Sequence, residues 1–299
     1  MLSIIICSRY KTLSEKLVNN ITETAGVDVE IIPIDNSDNK YSIFSAYNTG
    51  YKKANFEYLC FLHEDISFKT HNWGQKLIQH LSKGGTGFVG IAGGNLATRI
   101  PSSWSIGEKY IHIIQNGKKN KPQHILSPID KEYNSLQAVL LDGVFLGTTS
   151  EVMKKCKFDE SMNGFHGYDL DICLQSINFG FKNYVVFDIL IEHFSNGNRN
   201  YQYYQNQTQL FKKWTPILPI FVNDEKGYIE KNIHTIEKKA LSRFAKNLAR
   251  SGCSYSNIYK EIRLFTQIIE HPTDYTFLFI LLEILSVRLF ERPQYLFKF

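Results

Sequence analysis

The chain has 299 residues, of which 43% are hydrophobic and 21% are charged, and its formal net charge is +5. These fractions are ordinary for a folded soluble protein and exclude a disordered chain, and the length accommodates one large domain plus a smaller one. The mild basic charge fits an acidic ligand or an anionic surface, although such a balance most often serves solubility alone.

The five cysteines include no Cys-x-x-Cys pair. Cys7 and Cys60 lie inside apolar runs, which favours buried free thiols in a reducing compartment. The first residues have no basic leader and predict a strand rather than a signal peptide. We therefore expect a cytoplasmic protein.

The first hundred residues alternate between short apolar runs and stretches with helical spacing. The predicted strands are Ser3–Cys7, Val27–Ile34, Tyr58–Leu62 and Gly87–Ala92, and the predicted helices are Leu13–Thr22, Ile43–Ala54 and Trp73–Leu81. This alternation predicts an α/β fold with a mostly parallel central sheet covered on both faces. Ligands of such sheets bind at the carboxyl ends of the strands, where Arg9, Asp35 and Asp65 fall.

The stretch from Gly93 to Asn134 is polar and carries Trp104 near its middle. A long irregular segment inside a compact domain is usually functional, so we predict a loop that orders over a ligand. The next predicted elements are a strand over Leu136–Leu141, helices over Ser150–Met153 and Asp169–Phe179, and a strand over Tyr184–Ile191. Gly180 is the expected stop of the second helix.

The pattern becomes mainly helical after Asn223, which predicts two domains, 1–222 and 223–299. From Glu225 onward there are 12 Lys/Arg and 8 Asp/Glu. Tyr275–Phe290 is very apolar but too short to span a bilayer. It is either a helix lying on the inner face of an anionic membrane or a packing or oligomer-contact helix, and the sequence leaves both alternatives and the oligomeric state open.

Three groups at predicted strand ends, His63, Asp65 and His193, have the chemistry to bind one divalent ion. The alternative is that the histidines merely cap strands and Asp65 caps a helix. Asp169 and Asp171 lie two apart at a helix start, so they point to different faces and only one of them can face a site. Either can also be a plain N-terminal cap, and Asp35 can simply close a turn.

Other classes of function lack their signatures. The chain has no Gly-x-Gly-x-x-Gly after its first strand, no P-loop and no Gly-x-Ser-x-Gly elbow. Its basic C-terminal part has neither zinc spacing nor a common RNA-binding signature, so we expect no nucleic-acid partner.

The order of several motifs resembles a family 2 glycosyltransferase of the GT-A fold, in a branch related to streptomycin-biosynthesis-type enzymes. The motifs are Ser3–Arg9, Ile34–Ser37, Ala46–Gly50 with Ala54, Phe61–Asp65, Asp142–Gly143, Phe158–Glu160, Gly167–Leu174 and His193–Ser195. They span about residues 1–215. The resemblance implies inverting, metal-dependent transfer of a sugar from a nucleoside diphosphate donor to a glycan or lipid-linked acceptor.

The resemblance also implies roles for individual residues. The implied catalytic base is Asp169, the donor-binding residues are Arg9, Asp35, Asn48 and Glu64, the sugar or acceptor contacts are Asp142, Trp104, Asp171 and His166, and the ligands of Mn²⁺ or Mg²⁺ are His63, Asp65 and His193. The chain departs from the family pattern where His63 replaces an acid of the metal motif, Tyr168 replaces a Glu and Tyr47 replaces an Arg. These departures keep open the alternative of a catalytically weak module that binds a nucleotide or a carbohydrate.

Overall fold

The computed structural model describes residues 1–116, 122–128, 134–195 and 200–269, together with seven helical residues between 278 and 287. The described strands are β1 (Leu2–Ser8), β2 (Val29–Asp35), β3 (Tyr58–Leu62), β4 (Ile66–Phe68), β5 (Thr86–Gly90), β6 (Ala92–Gly94), β7 (Leu96–Ala97), β8 (Lys109–Asn116), β9 (Pro122–Ser127), β10 (Ser135–Ala138), β11 (Leu140–Leu141), β12 (Phe145–Thr149), β13 (Lys182–Val186), β14 (Ile191–His193) and β15 (Ile220–Phe221). The helices are α1 (Glu15–Thr24), α2 (Ile43–Tyr51), α3 (Trp73–Leu81), α4 (Ser150–Lys155), α5 (Tyr168–Asn178), α6 (Tyr201–Trp214), α7 (Tyr228–Arg250) and α8 (Tyr255–Ile268).

A seven-stranded sheet in the order β10-β13-β5-β12-β3-β1-β2 forms the centre of the fold. β1 pairs in parallel with β2 and β3, and β13 pairs in parallel with β5, whereas β12 is antiparallel to both neighbours and β10 is antiparallel to β13. The predicted α/β class is confirmed, but the sheet is mixed rather than mostly parallel. The difference arises from β12, an unpredicted strand that enters between β3 and β5 in the opposite direction.

Both faces of the central sheet are covered, as the continuous apolar strands predict. Along β1, Ile5 packs into one hydrophobic cluster, whereas Ile4 and Ile6 pack into the other. Helices α2 and α5 cover the first face, and helices α1 and α3 cover the second. Alternation of side chains along a strand places neighbouring residues on opposite faces, so a strand buried on both sides needs apolar residues throughout.

The region predicted as an irregular loop contains strands of a second sheet. This six-stranded sheet has the order β11-β6-β8-β14-β4, and β9 also pairs with β8. The prediction of a structureless excursion over Gly93–Asn134 was therefore wrong for the described part, while residues 117–121 and 129–133 lie outside the described residues. Backbone pairing with β6 and β14 orders β8, whose short run rich in β-branched residues, Ile111–Ile114, is set within a mostly polar stretch.

The C-terminal region is helical in its described part, as predicted. Helix α7 is tied to the segment after β7 by Arg99, whose Nη2 lies 2.7 Å from Oε2 of the fully buried Glu237. Helices α6, α7 and α8 contribute to the same hydrophobic cluster. The boundary at Asn223 stays a prediction. Among the described residues, no helix is long and apolar enough to cross a membrane.

Candidate active site

A cavity of about 870 Å³ lies at the ends of the strands that carry the predicted site residues. Nine of the predicted residues line it: Arg9, His63, Glu64, Asp65, Trp104, Asp142, His166, Asp169 and His193. Arg9 follows β1, His63 to Asp65 connect β3 to β4, and His193 ends β14. Segments up to about 180 residues apart in sequence therefore meet where the ends of β1 and β3 in the central sheet lie next to the end of β14 in the second sheet.

His63, Asp65 and His193 form a compact group within this cavity. Their candidate ligand atoms all lie within 4.8 Å of one another. Oδ1 of Asp65 is 3.8 Å from Nδ1 of His63 and 3.5 Å from Nε2 of His193. Two imidazole nitrogens and one carboxylate oxygen are a suitable set of ligands for a borderline divalent ion such as Mn²⁺.

In each histidine, the ring nitrogen that faces away from Asp65 makes a hydrogen bond with the protein. Nε2 of His63 lies 2.8 Å from the Tyr168 hydroxyl, which donates its own proton to the Gly143 carbonyl at 3.0 Å. The hydroxyl can then only accept from His63, so the Nδ1 lone pair is directed toward Asp65. A Cβ on residue 143 would overlap the Tyr168 hydroxyl, so this contact requires glycine there.

His193 is oriented by the same logic. Its Nδ1 lies 3.1 Å from Oε1 of Gln115, and the amide of Gln115 donates to the Ser195 carbonyl at 2.5 Å. This pairing identifies Oε1 as the acceptor from Nδ1, so Nε2 is the ring nitrogen of His193 that faces Asp65. Outer-shell partners of this kind orient metal ligands and fix their tautomers.

Electrostatics keep the group ready for a cation. Burial lowers the pKa of His63, and the Asp65 charge offsets this only in part, so the imidazole is neutral near pH 7. Burial alone would raise the pKa of Asp65, but hydrogen bonds from His193 and Ser195 outweigh it and hold the pKa well below its usual range. A neutral imidazole and an ionised carboxylate are the protonation states that bind a metal.

Asp169 begins the first turn of α5 and faces the cavity. Its Oδ2 accepts from the Gly143 amide at 3.2 Å and its Oδ1 accepts from the Leu170 amide at 3.0 Å. Burial, reinforced by the charge of Asp142, raises the pKa of Asp169 to about 7. A carboxylate poised near neutral pH can accept a proton from a hydroxyl, so its chemistry fits a general base.

Asp142 has both of its oxygens engaged by the protein. Oδ2 accepts from the Trp104 indole at 2.8 Å, and Oδ1 accepts from the Val144 amide at 3.0 Å. The segment around Trp104 forms a 3-10 helix over Trp104–Ile106. Asp142 therefore holds Trp104 as a partly exposed aromatic wall of the cavity.

Glu64 is also engaged by the protein. Its Oε1 accepts from Nε of Arg9 at 2.7 Å, and its Oε2 accepts from the Ser8 hydroxyl at 2.5 Å. The Arg9 side chain nevertheless remains 67% exposed. Glu64 thus orients Arg9 at the mouth of the cavity, and the guanidinium keeps free donors for an anion.

The structure corrects the placement of two predicted ligand contacts. Asn48 does not line the cavity, because its amide donates to the Phe158 carbonyl and to Glu160, both at 2.8 Å. Asp171 is 1% exposed and accepts hydrogen bonds from Lys213 at 2.8 Å and from the Trp214 indole at 2.7 Å. Both residues therefore join segments of the protein, and neither lines the cavity.

Asp35 lies at the exposed end of β2, outside the cavity lining. Its Oδ1 accepts a hydrogen bond from the Ser37 amide at 2.9 Å, so Asp35 closes a turn, as the sequence allowed. Backbone and side-chain hydrogen bonds from Ser37 lower the pKa of Asp35, which keeps it ionised. Because β2 is the parallel neighbour of β1, Asp35 remains near the edge where Arg9 lies.

Sequence reasoning missed several residues that complete the cavity. Tyr168 was regarded as a departure from a motif, yet its hydroxyl bridges His63 and Gly143. Gln115 fell inside the region predicted to be irregular, and no sequence signal identified it. Phe165 and Tyr203 also line the cavity, and Phe165 is 45% exposed.

Comparison with known proteins agrees with this architecture. The model of the glycosyltransferase-like family matches residues 3–214. The chain belongs to this family. It is thus a glycosyltransferase by family, while no curated protein sequence is detectably similar to it.

Solved structures show the same fold at low sequence identity. TarS 1-349 of S. aureus, in complex with UDP-GlcNAc, has a TM-score of 0.57 at 10% identity over 95% of this chain and 88% of its own. The mannosyltransferase PcManGT of Pyrobaculum calidifontis, in complex with GDP-Man and Mn²⁺, has a TM-score of 0.52 at 13% identity, and the match covers 97% of this chain and 87% of PcManGT. GalNAc-T7 with UDP, GalNAc and Mn²⁺ has a TM-score of 0.50 at 15% identity over 91% of this chain. The match covers only 57% of the GalNAc-T7 chain. The predicted GT-A fold is confirmed, whereas the streptomycin-type branch stays a prediction.

Proposed function

We propose that this glycosyltransferase transfers a sugar from a nucleoside diphosphate donor with inversion at the anomeric carbon, using Mn²⁺ or Mg²⁺. The observation that carries the proposal is that a candidate metal group and a carboxylate with a pKa of about 7 line one cavity. The neighbouring structures hold UDP, GDP-Man or UDP-GlcNAc, two of them with Mn²⁺, which supports the same class of donor.

His63, Asp65 and His193 are the residues that would hold the ion. When bound, a divalent ion supplies positive charge that offsets the charge developing on the departing diphosphate. Tyr168 and Gln115 would keep the two imidazoles in the metal-binding tautomer. Two imidazoles suit Mn²⁺ better than Mg²⁺, which prefers oxygen ligands and retained water, so we expect Mn²⁺ to be the more effective ion.

The nucleotide would bind at the mouth formed by β1 and β2. Arg9, held by Glu64, offers charge-assisted hydrogen bonds to phosphate, and Asp35 offers an acceptor to a base N–H. Ordinary charge complementarity thus assigns the diphosphate to the end of the cavity where Arg9 and the metal group meet.

Asp169 would act on the acceptor. Its carboxylate would take the hydroxyl proton as the acceptor oxygen bonds to the anomeric carbon, and the bond from that carbon to the diphosphate oxygen would break on the opposite face. The diphosphate leaves with the bonding electrons, so one displacement gives inversion. Asp142 and Trp104 would position the transferred sugar, with Trp104 as an apolar wall that excludes water, and His166 would contact the acceptor.

A donor screen tests this function. The purified chain would be incubated with UDP- and GDP-sugars, with and without Mn²⁺, while release of UDP or GDP is measured. We expect metal-dependent release from at least one donor. Metal-dependent binding of nucleotide in calorimetry without release from any donor would instead support the catalytically weak binding module.

The acceptor and the membrane are further parts of the proposal. Most of Tyr275–Phe290 lies outside the described residues, but Leu278, Leu282 and Leu285 are described, helical and 53%, 53% and 45% exposed. Three exposed leucines on one helical face fit contact with a bilayer that presents a lipid-linked acceptor. Salt-sensitive co-sedimentation with anionic liposomes, lost when all three leucines are changed to Ser, would support this contact, and no sedimentation would exclude it.

A further inference from the structure

A second, smaller cavity adjoins the proposed active site. It has a volume of about 110 Å³ and lies between the segment after β7, the start of α6 and the middle of α7. Ser103, Tyr203 and Gln207 line both cavities. The second cavity is therefore a side chamber of the first, separated from it only by side chains that both share.

The two cavities differ in charge. Four carboxylates line the larger one: Glu64, Asp65, Asp142 and Asp169. No carboxylate lines the smaller one, whose charged residue is Arg243 of α7. Within the described ranges, Arg243 has neither a hydrogen bond nor an ion pair. An unpaired guanidinium beside a concave surface presents five donors that match phosphate or carboxylate oxygens.

Arg243 is exposed, and hydroxyl and amide groups line the same chamber. Ser102, Ser103 and Ser105 line one wall, and Asn247 lies one helical turn beyond Arg243 on α7. The Ser103 and Ser105 hydroxyls are 2.9 Å apart and bond to each other. A cation among neutral donors, without competing acids, is the composition of an anion subsite.

The walls of this chamber are held in a fixed relation. Arg99 precedes the serine segment, and Glu237 lies on α7 six residues before Arg243. Three hydrogen bonds from the Arg99 side chain and one from its backbone amide reach Glu237, at 2.7–3.2 Å. Glu237 is fully buried, so this ion pair fastens the serine wall to α7 and preorganises the chamber.

We propose that the side chamber binds an anionic group of the acceptor, a phosphate or a carboxylate, through Arg243. This inference rests on the proposed function, since it extends the acceptor from the cavity lined by Asp169 into the side chamber. Phe165 and Tyr203, which line the larger cavity together with Asp169, offer rings for a sugar of the acceptor. The acceptor is then a phosphorylated or acidic glycan unit rather than a neutral one.

The test uses the full-length chain with saturating Mn²⁺ and the nucleoside diphosphate that it binds, so that the donor end is filled. Calorimetric titrations would compare glucose 6-phosphate, glucuronate, glucose and inorganic phosphate. Arg243→Gln is the test variant, and Lys239→Gln is the control because Lys239 is an exposed cation one turn away that lines neither cavity.

We expect at least one of the two acidic sugars to bind at least about ten times more tightly than glucose. Arg243→Gln should abolish that preference, and Lys239→Gln should change it less than about twofold. Glucose 6-phosphate and glucuronate distinguish phosphate from carboxylate as the bound group. Unchanged melting temperature would show that each variant is folded.

Three results would overturn the inference: no preference for an acidic sugar in the wild type, an equal loss in both variants, or inorganic phosphate binding as tightly as the acidic sugars. The last would mean that sugar contacts add nothing and that the chamber is not an acceptor site. Failure of the nucleotide itself to bind in the first titration would instead count against the proposed function.

Discussion

Helix α5 carries two acidic residues, Asp169 and Asp171, whose surroundings are opposite. Asp169 faces the cavity, receives two backbone amide hydrogen bonds and has a pKa raised to about 7 by burial and by Asp142. Asp171 faces the core, where Lys213, Trp214 and Gln175 donate to it at 2.7–2.8 Å. A carboxylate with cationic partners is a structural element, whereas one kept beside another acid without a cation is available for chemistry.

The same contrast holds for the wider molecule. The core-facing acids Asp171 and Glu237 each have a cation as partner, Lys213 and Arg99. Among the described residues, Asp142 and Asp169 line the cavity without a cationic side-chain partner. Their negative charge favours a cation in the cavity, which adds to the ligand chemistry of the neighbouring metal group.

The contrast between Asp169 and Asp171 is tested most directly by substituting each of them with Asn. Asp169→Asn keeps the size and much of the hydrogen bonding but removes the proton acceptor, so we expect turnover to fall by about 10²–10⁴-fold. Nucleotide and metal affinity should be retained. Loss of turnover in Asp171→Asn but not in Asp169→Asn, in steady-state kinetics, would reverse the assignment of the base.

The metal group gives the next largest effect. Asp65→Ala removes the carboxylate ligand, and we expect Mn²⁺ affinity to fall by at least about a hundredfold, with nucleotide binding reduced to its metal-free level. Gln115→Ala, which frees the His193 ring without removing a ligand, should lower Mn²⁺ affinity by about tenfold. Titrations of Mn²⁺ and nucleotide by calorimetry would measure both. Wild-type behaviour of Asp65→Ala at every metal concentration would exclude the site.

The free energy of unfolding should respond more to the substitution of Asp171 than to that of Asp169, whereas turnover should respond more to Asp169. Asp171→Asn removes the charge of the buried partner of Lys213 but leaves its second partner, Asp159, so we expect the free energy of unfolding in urea to fall by about 1–2 kcal/mol. Asp169→Asn should leave it unchanged at low pH and raise it relative to the wild type as the pH increases from about 4 to about 7, because the wild-type carboxyl ionises in the unfolded chain before it ionises at its buried site. Equal destabilisation by both substitutions would show that the two faces of α5 do not differ.

Substitution of Asp35 tests whether the nucleotide base binds at the mouth of the cavity. A carboxylate that accepts from a base N–H contributes a charge-assisted bond of roughly 1.5–3 kcal/mol. Asp35→Ala should therefore raise the nucleotide dissociation constant by about tenfold with the fold intact. An unchanged constant would leave Asp35 as the turn residue that its bond to Ser37 already makes it.

The smallest effect concerns pH. Deprotonated Asp169 is the active form of the base, so kcat/KM should rise with pH through about 7. Asp142→Asn removes a negative charge that opposes this ionisation, and the acid limb should move to lower pH by up to about one unit. A limb that stays in place would show that burial alone sets the pKa of Asp169.

The α/β class, most elements of the first hundred residues and the groups at the strand ends could be predicted from the amino-acid pattern alone. Apolar runs buried on both faces leave a plain pattern, and polar residues that follow such runs mark the ends of strands. His63, Asp65 and His193 were found for this reason, and the structure brings their ligand atoms together. The resemblance to family motifs pointed to Asp169 and Asp142.

The direction of a strand, the face on which a side chain lies and its hydrogen-bond partners depend on the folded chain. The antiparallel direction of β12 depends on a turn and on two distant neighbours, and β8 needs the backbones of β6 and β14 to order its polar residues. Spacing of two residues on α5 implied different faces for Asp169 and Asp171, but which face met the cavity depended on the placement of Lys213 and Trp214. Local propensity describes a residue and its near neighbours, whereas these contacts join residues far apart in sequence, and so they exist only once the chain is folded.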